Sequence, residues 1–263
     1  MPNPENSIKV SQAYHRFKTR INYFNDDIEL VDVFCSTEFL ERVASPVQSN
    51  SPIIGISDIH TSLLRRSNTD GTRNQISNHL RATVFSSYIK DMYEEVMCYM
   101  KKILYDASKK SINPDILIGD LKIEVNIKDI LRCGNWDNLL RKITDEVFKK
   151  IEGKRSILEI FTRINKILRI NMDNSKINAA IQYLNIRHQL VHNDGFIPDE
   201  MKQLNGVKCT PKGRIKLTLN LLYIFKEVVT STIREIDKKI VSADLLLIED
   251  LHPTECHSST PGA

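Results

Sequence analysis

Long apolar runs are missing from this chain. Its uninterrupted stretches, such as Leu221-Leu222-Tyr223-Ile224-Phe225 and Leu245-Leu246-Leu247-Ile248, fall far short of the ~20 residues needed to span a bilayer. No transmembrane helix and no membrane partner are therefore expected. Glycine and proline are scarce, 9 of each in 263 residues, which excludes collagen-like and low-complexity classes. The five cysteines, Cys35, Cys98, Cys133, Cys209 and Cys256, are odd in number and include no close pair. Neither a disulfide framework nor a zinc knuckle is indicated, and the thiols are expected to be free. The opening residues Met1-Pro2-Asn3-Pro4-Glu5-Asn6 lack the basic stretch and apolar block of a secretory signal, giving the expectation of a cytoplasmic protein. A strong excess of one charge is absent too. The 37 Lys and Arg against 33 Asp and Glu leave a net +4, too little by itself to mark a nucleic-acid binder.

What is present describes a folded chain: 41% hydrophobic and 27% charged residues suffice for a core. Against a usual domain size of roughly 100 to 200 residues, the length suits one large domain or a domain with an elaboration. From Ser11 to about Ala44 the apolar residues Tyr14, Phe17, Ile21, Phe24, Ile28, Val31 and Phe34 recur at threes and fours, the spacing of one helix face. Residues 45–77 collect Ser, Pro, Asn, Asp and Gly and read as a mobile loop. Leu80, Val84, Ile89, Met92, Val96, Tyr99 and Ile103 predict a second long helix, with Ser77 as its cap. In 111–136, Leu121, Ile123 and Val125 alternate with polar residues and suggest a short strand or extended connection. Helices are expected over 138–151, after the Ser156/Glu159 capping box, from Ser175 to a Gly195 cap, and over 217–240. No repeat appears and helical spacing dominates, so the fold class is all-α, a helical bundle with a long N-terminal helix and a loop insertion. The organisation expected is an N-terminal helix and mobile loop over 1–76, a helical domain over 77–251 and a disordered tail over 252–263.

The chemistry concentrates in Asn185-Ile186-Arg187-His188-Gln189-Leu190-Val191-His192-Asn193-Asp194-Gly195. Two imidazoles, a guanidinium, an amide and a carboxylate crowd the end of an otherwise apolar helix. At about 100° per residue, Arg187 and His192 lie roughly 140° apart, while His188 and His192 are i, i+4 neighbours on one face. That spacing matches the two histidines of the zincin motif His-Glu-x-x-His. Here Gln189 replaces the Glu. An amide cannot take a proton from water, and no third ligand follows at the expected spacing, so no catalytic metal and no cofactor are expected.

Arg187, the polar His188 after it, and His192 with four residues between Arg and His resemble the signature of the HEPN superfamily. The helix around Arg81 to Met100, the polar exit His192-Asn193-Asp194-Gly195 and a further amphipathic helix agree with that likeness. The segment from about Leu80 to Ile240 resembles the RiboL-PSP and MAE-type branch. The resemblance implies a metal-independent endoribonuclease, commonly a toxin or antiphage effector, acting as a homodimer whose motif helices meet at a composite cleft. It also implies an antitoxin or regulatory protein as a possible partner. The residues suit this role. Cleaving RNA without a metal requires a group that moves protons near neutrality, for which His192 is the candidate. Arg187 would bind the scissile phosphate as a permanent bidentate cation. His188 could contact the phosphate or hold Arg187, and Asn193 and Asp194 could orient His192 or close the helix.

Two basic stretches flank the motif: ten Lys and Arg against five Asp and Glu over 141–176, and five cations without an acid over 202–216. Lys202, Lys208, Lys212, Arg214 and Lys216 could form an RNA track, or simply a solvated loop. A non-catalytic helical module binding RNA or another protein through the same groove is the alternative reading. Elsewhere, Glu94 and Glu95 are expected to face water rather than pair with Arg187 across the bundle, Arg81 to be a surface residue or a phosphate ligand, and Trp136 to anchor the core rather than stack on a base. His60 and His79 receive no role.

Overall fold

A computed structural model describes residues 9–36, 62, 66, 69–110, 117–118, 121–153 and 156–253. The fold is all-α. Among the described residues a short strand β1 (Lys9–Ser11) leads into α1 (Gln12–Phe34), α2 (Asp70–Lys110), α3 (Ile127–Cys133), α4 (Trp136–Glu152), α5 (Ile157–Leu168), α6 (Asn174–His192), α7 (Asp199–Lys202) and α8 (Leu219–Ser242). A 3-10 turn (Ile248–Asp250) then runs into strand β2 (Leu251–Pro253), antiparallel to β1 with Val10 opposite His252. No helix among the described residues is long and apolar enough to cross a membrane. The loop expected over 45–77 falls mostly outside the described residues, and its end from Asp70 is helical instead; of the tail expected over 252–263, His252 and Pro253 lie in β2 and the rest falls outside the described residues.

Local chemistry sets the helix ends. Thr69 Oγ1 accepts the Thr72 amide at 3.2 Å, so α2 starts at Asp70, and Ser77, expected as its cap, is buried inside it instead. Asn126 caps α3 through Lys128 N (2.9 Å) and Asn135 caps α4 through Asn138 N (2.8 Å). The stretch expected to be extended therefore ends in a helix, because two asparagines each offer a side-chain acceptor to a helical amide. Gly134, at φ +70°, supplies the left-handed residue between the two helices. Ser156 caps α5 through the Glu159 amide at 3.4 Å, as the capping-box pattern predicts.

The chain divides into two compact units. One comprises Met1–Arg20, Met92–Asn185 and Phe225–Ala263; the other Ile21–Asp91 and Ile186–Ile224. In the first, α3 packs on α4 and α4 on α5. The buried faces Leu140, Val147, Phe148 and Ile151 of α4 and Ile160, Phe161, Ile164 and Ile167 of α5 recur at helical spacing. Trp136 is not a core anchor: it is 63% exposed, because the buried stripe of α4 begins one turn later, at Leu140.

This unit is also organised by a buried carboxylate. Asp237 is 1% exposed. It accepts the Ser11 amide at 3.0 Å, the Ser11 hydroxyl and the Tyr99 hydroxyl at 3.1 Å. Ser11 Oγ also accepts the Tyr14 amide at 2.9 Å, so one residue ends β1, caps α1 and satisfies Asp237. Nearby in sequence to β2, Lys109 donates to Asp250 at 2.7 Å and ties the end of α2 to the 3-10 turn.

In the second unit Arg81, half-buried, is tied into the fold. Its Nε lies 3.0 Å from the Asp32 carboxylate and its Nη2 donates to the Cys35 carbonyl at 3.0 Å, joining α2 to the end of α1. Tyr88 donates to Asn25 (3.0 Å) and Tyr223 to Glu29 (2.9 Å), adding contacts of α1 with α2 and α8. The inward stripe of α2 here runs through Ser77, Arg81, Phe85, Tyr88 and Ile89, which leaves Leu80, expected on the apolar face, 46% exposed.

Burial pushes the Asp237 carboxyl above its usual range, while the Ser11 and Tyr99 hydrogen bonds pull it down; burial is the larger effect. A carboxyl raised in the native state binds more protons there than in the unfolded chain, so its contribution to stability grows as pH falls toward about 3.9 and is lost as pH rises through its raised value. Asp237→Asn removes one acceptor oxygen from three donors and should destabilise by about 1–3 kcal/mol at neutral pH. In urea melts the gap between wild type and variant should widen as pH falls from neutral toward about 4; a constant or shrinking gap would contradict the raised carboxyl.

Candidate functional site

The motif residues sit where α6 leaves its core. Asp173 Oδ1 accepts the Ser175 amide at 2.9 Å and starts the helix. The buried positions Ile177, Ala180, Ile181, Tyr183, Leu184 and Ile186 then follow. After Ile186 the burial stops: Arg187 is half-buried, and His188, His192, Asn193 and Asp194 are exposed. Val191, expected on the apolar face, is 43% exposed for the same reason. The polarity of this terminus thus belongs to a helix end projecting into water.

The terminus closes tightly. Asp194 takes the left-handed conformation at φ +52° and Gly195 follows at φ +79°. The amides of Asn193 and Gly195 both reach the Gln189 carbonyl, at 3.1 and 2.9 Å, which satisfies carbonyls that a helix end otherwise leaves bare. Asn193 Nδ2 donates to Gln189 Oε1 one turn back. Asp194 pairs with Arg214. Both side chains therefore brace the helix exit. The imidazoles of His188 and His192 lie side by side, ring centroids 4.7 Å apart and planes at 47°. Arg187 points elsewhere around the helix, by roughly 140° from His192.

The basic loop folds back on this exit as a small antiparallel arrangement. Cys209 bridges Ile215 and Phe196 bridges Arg214. The amide of Ile215 donates to the Gly195 carbonyl (2.8 Å), that of Lys216 to Lys208 (2.7 Å) and that of Thr210 to Arg214 (2.8 Å). Ile215 is buried at 7%. Alternation along the strand then turns Arg214 and Lys216 outward, and the register sets Lys208 opposite Lys216 on the same face. Lys208, Arg214 and Lys216 are all exposed, as is Lys212 at the turn. Lys202 stands on α7, paired with Asp199 at 2.7 Å. Such exposed pairs contribute little to stability and leave their cations open to exchange for a phosphate.

The sequence reading missed Phe196. It is 46% exposed, and the Arg214 guanidinium sits 5.1 Å from its ring centroid. An aromatic residue directly after the Asp194-Gly195 turn was its one available signal. Gly206 was missed as well. Its backbone is at φ +79°, and a Cβ there would stand 2.7 Å from Ile224 Cδ1 and 3.4 Å from Leu221 Cα. This glycine lets the basic loop lie against the start of α8.

Among the described residues no group of three or more His, Cys, Asp or Glu side chains is arranged to hold a metal ion. No protein-family model, curated protein or solved structure matches the chain.

Gly206→Ala forces a side chain into the left-handed region, at roughly 1–2 kcal/mol, and adds repacking of Ile224. The variant should lose about 1–3 kcal/mol in urea unfolding and show faster hydrogen exchange at the Lys216 and Ile215 amides. Unchanged exchange at those amides would show that the loop does not depend on Gly206 for its seat.

Proposed function

We propose that the chain is a metal-independent endoribonuclease of HEPN type, located in the cytoplasm and acting as a toxin or antiphage effector. The observation that carries this reading is the grouping, within one compact unit, of Arg187, His188 and His192 on a braced helix end with the exposed cations Lys208, Lys212, Arg214 and Lys216 beside it. Phosphodiester recognition needs fixed positive charge, and the outward face of the hairpin supplies it without demanding a base sequence.

In the reaction, the RNA 2′-oxygen attacks phosphorus as its proton is removed, and the 5′-oxygen leaves as it gains one. The products are a 2′,3′-cyclic phosphate and a 5′-hydroxyl. His192, exposed at the helix exit, is the proton-transfer group. Arg187 binds the nonbridging phosphate oxygens and stabilises the charge that grows on them. Because these two side chains diverge around α6, a cleft between two copies, as the HEPN resemblance implies, would let one copy's His192 work with the Arg187 of another. Homodimerisation is thus part of the proposal.

His192→Ala should lower cleavage of total RNA by about 10²-fold or more. Arg187→Lys, which keeps the charge and loses the planar fork, should lower it by a similar factor. Circular dichroism should remain that of the wild type. Wild-type cleavage should persist in excess EDTA and leave cyclic phosphate ends. Retention of full-length RNA by a protein that binds it tightly would replace the enzyme with a non-catalytic RNA-binding module.

A further inference from the structure

The paired imidazoles have a geometry that proton transfer by His192 alone does not use. His188 and His192 are both exposed, neither makes a hydrogen bond or ion pair among the described residues, and their rings are 4.7 Å apart at 47°. Imidazoles in simple stacking contact look different: His15 and His252 lie 3.7 Å apart and 8° from parallel. A metal bound to a ring nitrogen at about 2.0–2.1 Å stands about 3.2 Å from the ring centroid, so two such ligands at angles of about 90–109° place their centroids about 4.5–5.2 Å apart. The observed centroid separation of 4.7 Å lies inside that interval. The helix end is also held rigid by the Gln189 carbonyl, which accepts the amides of Asn193 and Gly195, so little ordering remains to be done on binding.

We propose that His188 and His192 form a two-imidazole site for a borderline divalent transition metal, Zn²⁺ or Cu²⁺, whose occupancy silences the proposed active site. Imidazole pairs favour these ions over the hard cations Mg²⁺ and Ca²⁺, which require oxygen ligands. Asp194, the nearest carboxylate in sequence, is engaged by Arg214. Two protein ligands leave the remaining coordination positions to water, so the affinity is weaker than in closed structural sites, as suits reversible control. The metal occupies the lone pair that His192 needs to accept a proton. The binding follows from the pair's geometry; the silencing rests on the ribonuclease reading.

Tag-free protein is titrated with zinc chloride by calorimetry, and with copper(II) followed by electron paramagnetic resonance, at a pH of about 7.5 where imidazole is available to metal. Wild type, His188→Ala, His192→Ala and, as a control for the other histidine pair, His15→Ala are compared, with circular dichroism confirming the fold of each. One zinc ion per chain is expected, bound at least about tenfold more weakly when either His188 or His192 is replaced and unchanged in His15→Ala. The copper spectrum should report two nitrogen ligands in wild type and one in each single variant. Absence of binding at millimolar zinc, or binding equal in wild type and both variants, overturns the site. RNA cleavage by the wild type is assayed in parallel. Inhibition by zinc and recovery with EDTA support the silencing, and cleavage that continues at saturating zinc overturns it. A wild type that binds zinc and cuts no RNA leaves the metal site standing and removes the ribonuclease.

Discussion

Asp237 is the constraint on which the first unit turns. A carboxylate almost withdrawn from water is costly unless its oxygens are satisfied. The three donors that satisfy it come from Ser11 and Tyr99, on β1 and α2. Moving any of these elements would strand a buried oxygen. Ser11 carries the constraint further, because its hydroxyl also caps α1 through the Tyr14 amide. The start of the first long helix is therefore registered against α8, and β1 is held where β2 can pair with it.

The second unit uses a comparable economy at the end of α6. The Gln189 carbonyl accepts two amides, Asp194 adopts the left-handed turn, and its carboxylate then engages Arg214. Each step solves a problem of helix termination, the bare carbonyls, the reversal of direction and the seating of the following chain. Their combined effect is chemical: the exposed His188 and His192 are held on a rigid turn beside a cationic hairpin. Ile215 makes that hairpin one-sided, since burying it obliges its neighbours Arg214 and Lys216 to face outward.

Much of the helical framework was legible in the sequence because its causes are local. Apolar spacing marked α1, α2, α5, α6 and α8, and the Ser156/Glu159 pattern marked a cap that is present. The misreadings share a different cause. Ser77 looked like a cap, but Thr69, further upstream, provides the acceptor. Trp136 looked like a core residue by size, yet it stands a turn ahead of the buried stripe of α4. Arg81 looked like a surface cation, yet it bridges Asp32 and the Cys35 carbonyl. Side-chain type indicates what a residue can do, whereas the partners it meets decide which capacity is used. The strands β1 and β2 were invisible because three-residue segments carry no periodicity, and their pairing joins opposite ends of the chain.

The sequence by itself determined the all-α class and placed Arg187, His188 and His192 on one helix end, with the two histidines as neighbours and Arg187 turned away. These follow from the period of the helix, which relates residues a few positions apart whatever surrounds them. Only the tertiary structure decided that Ser11 would meet Asp237 across 226 positions, that Asp194 would engage Arg214, and that Lys208 and Lys216 would share an outward face. Those pairings depend on closing long loops and burying Ile215, free energies contributed by the whole unit and encoded in no short stretch of chain.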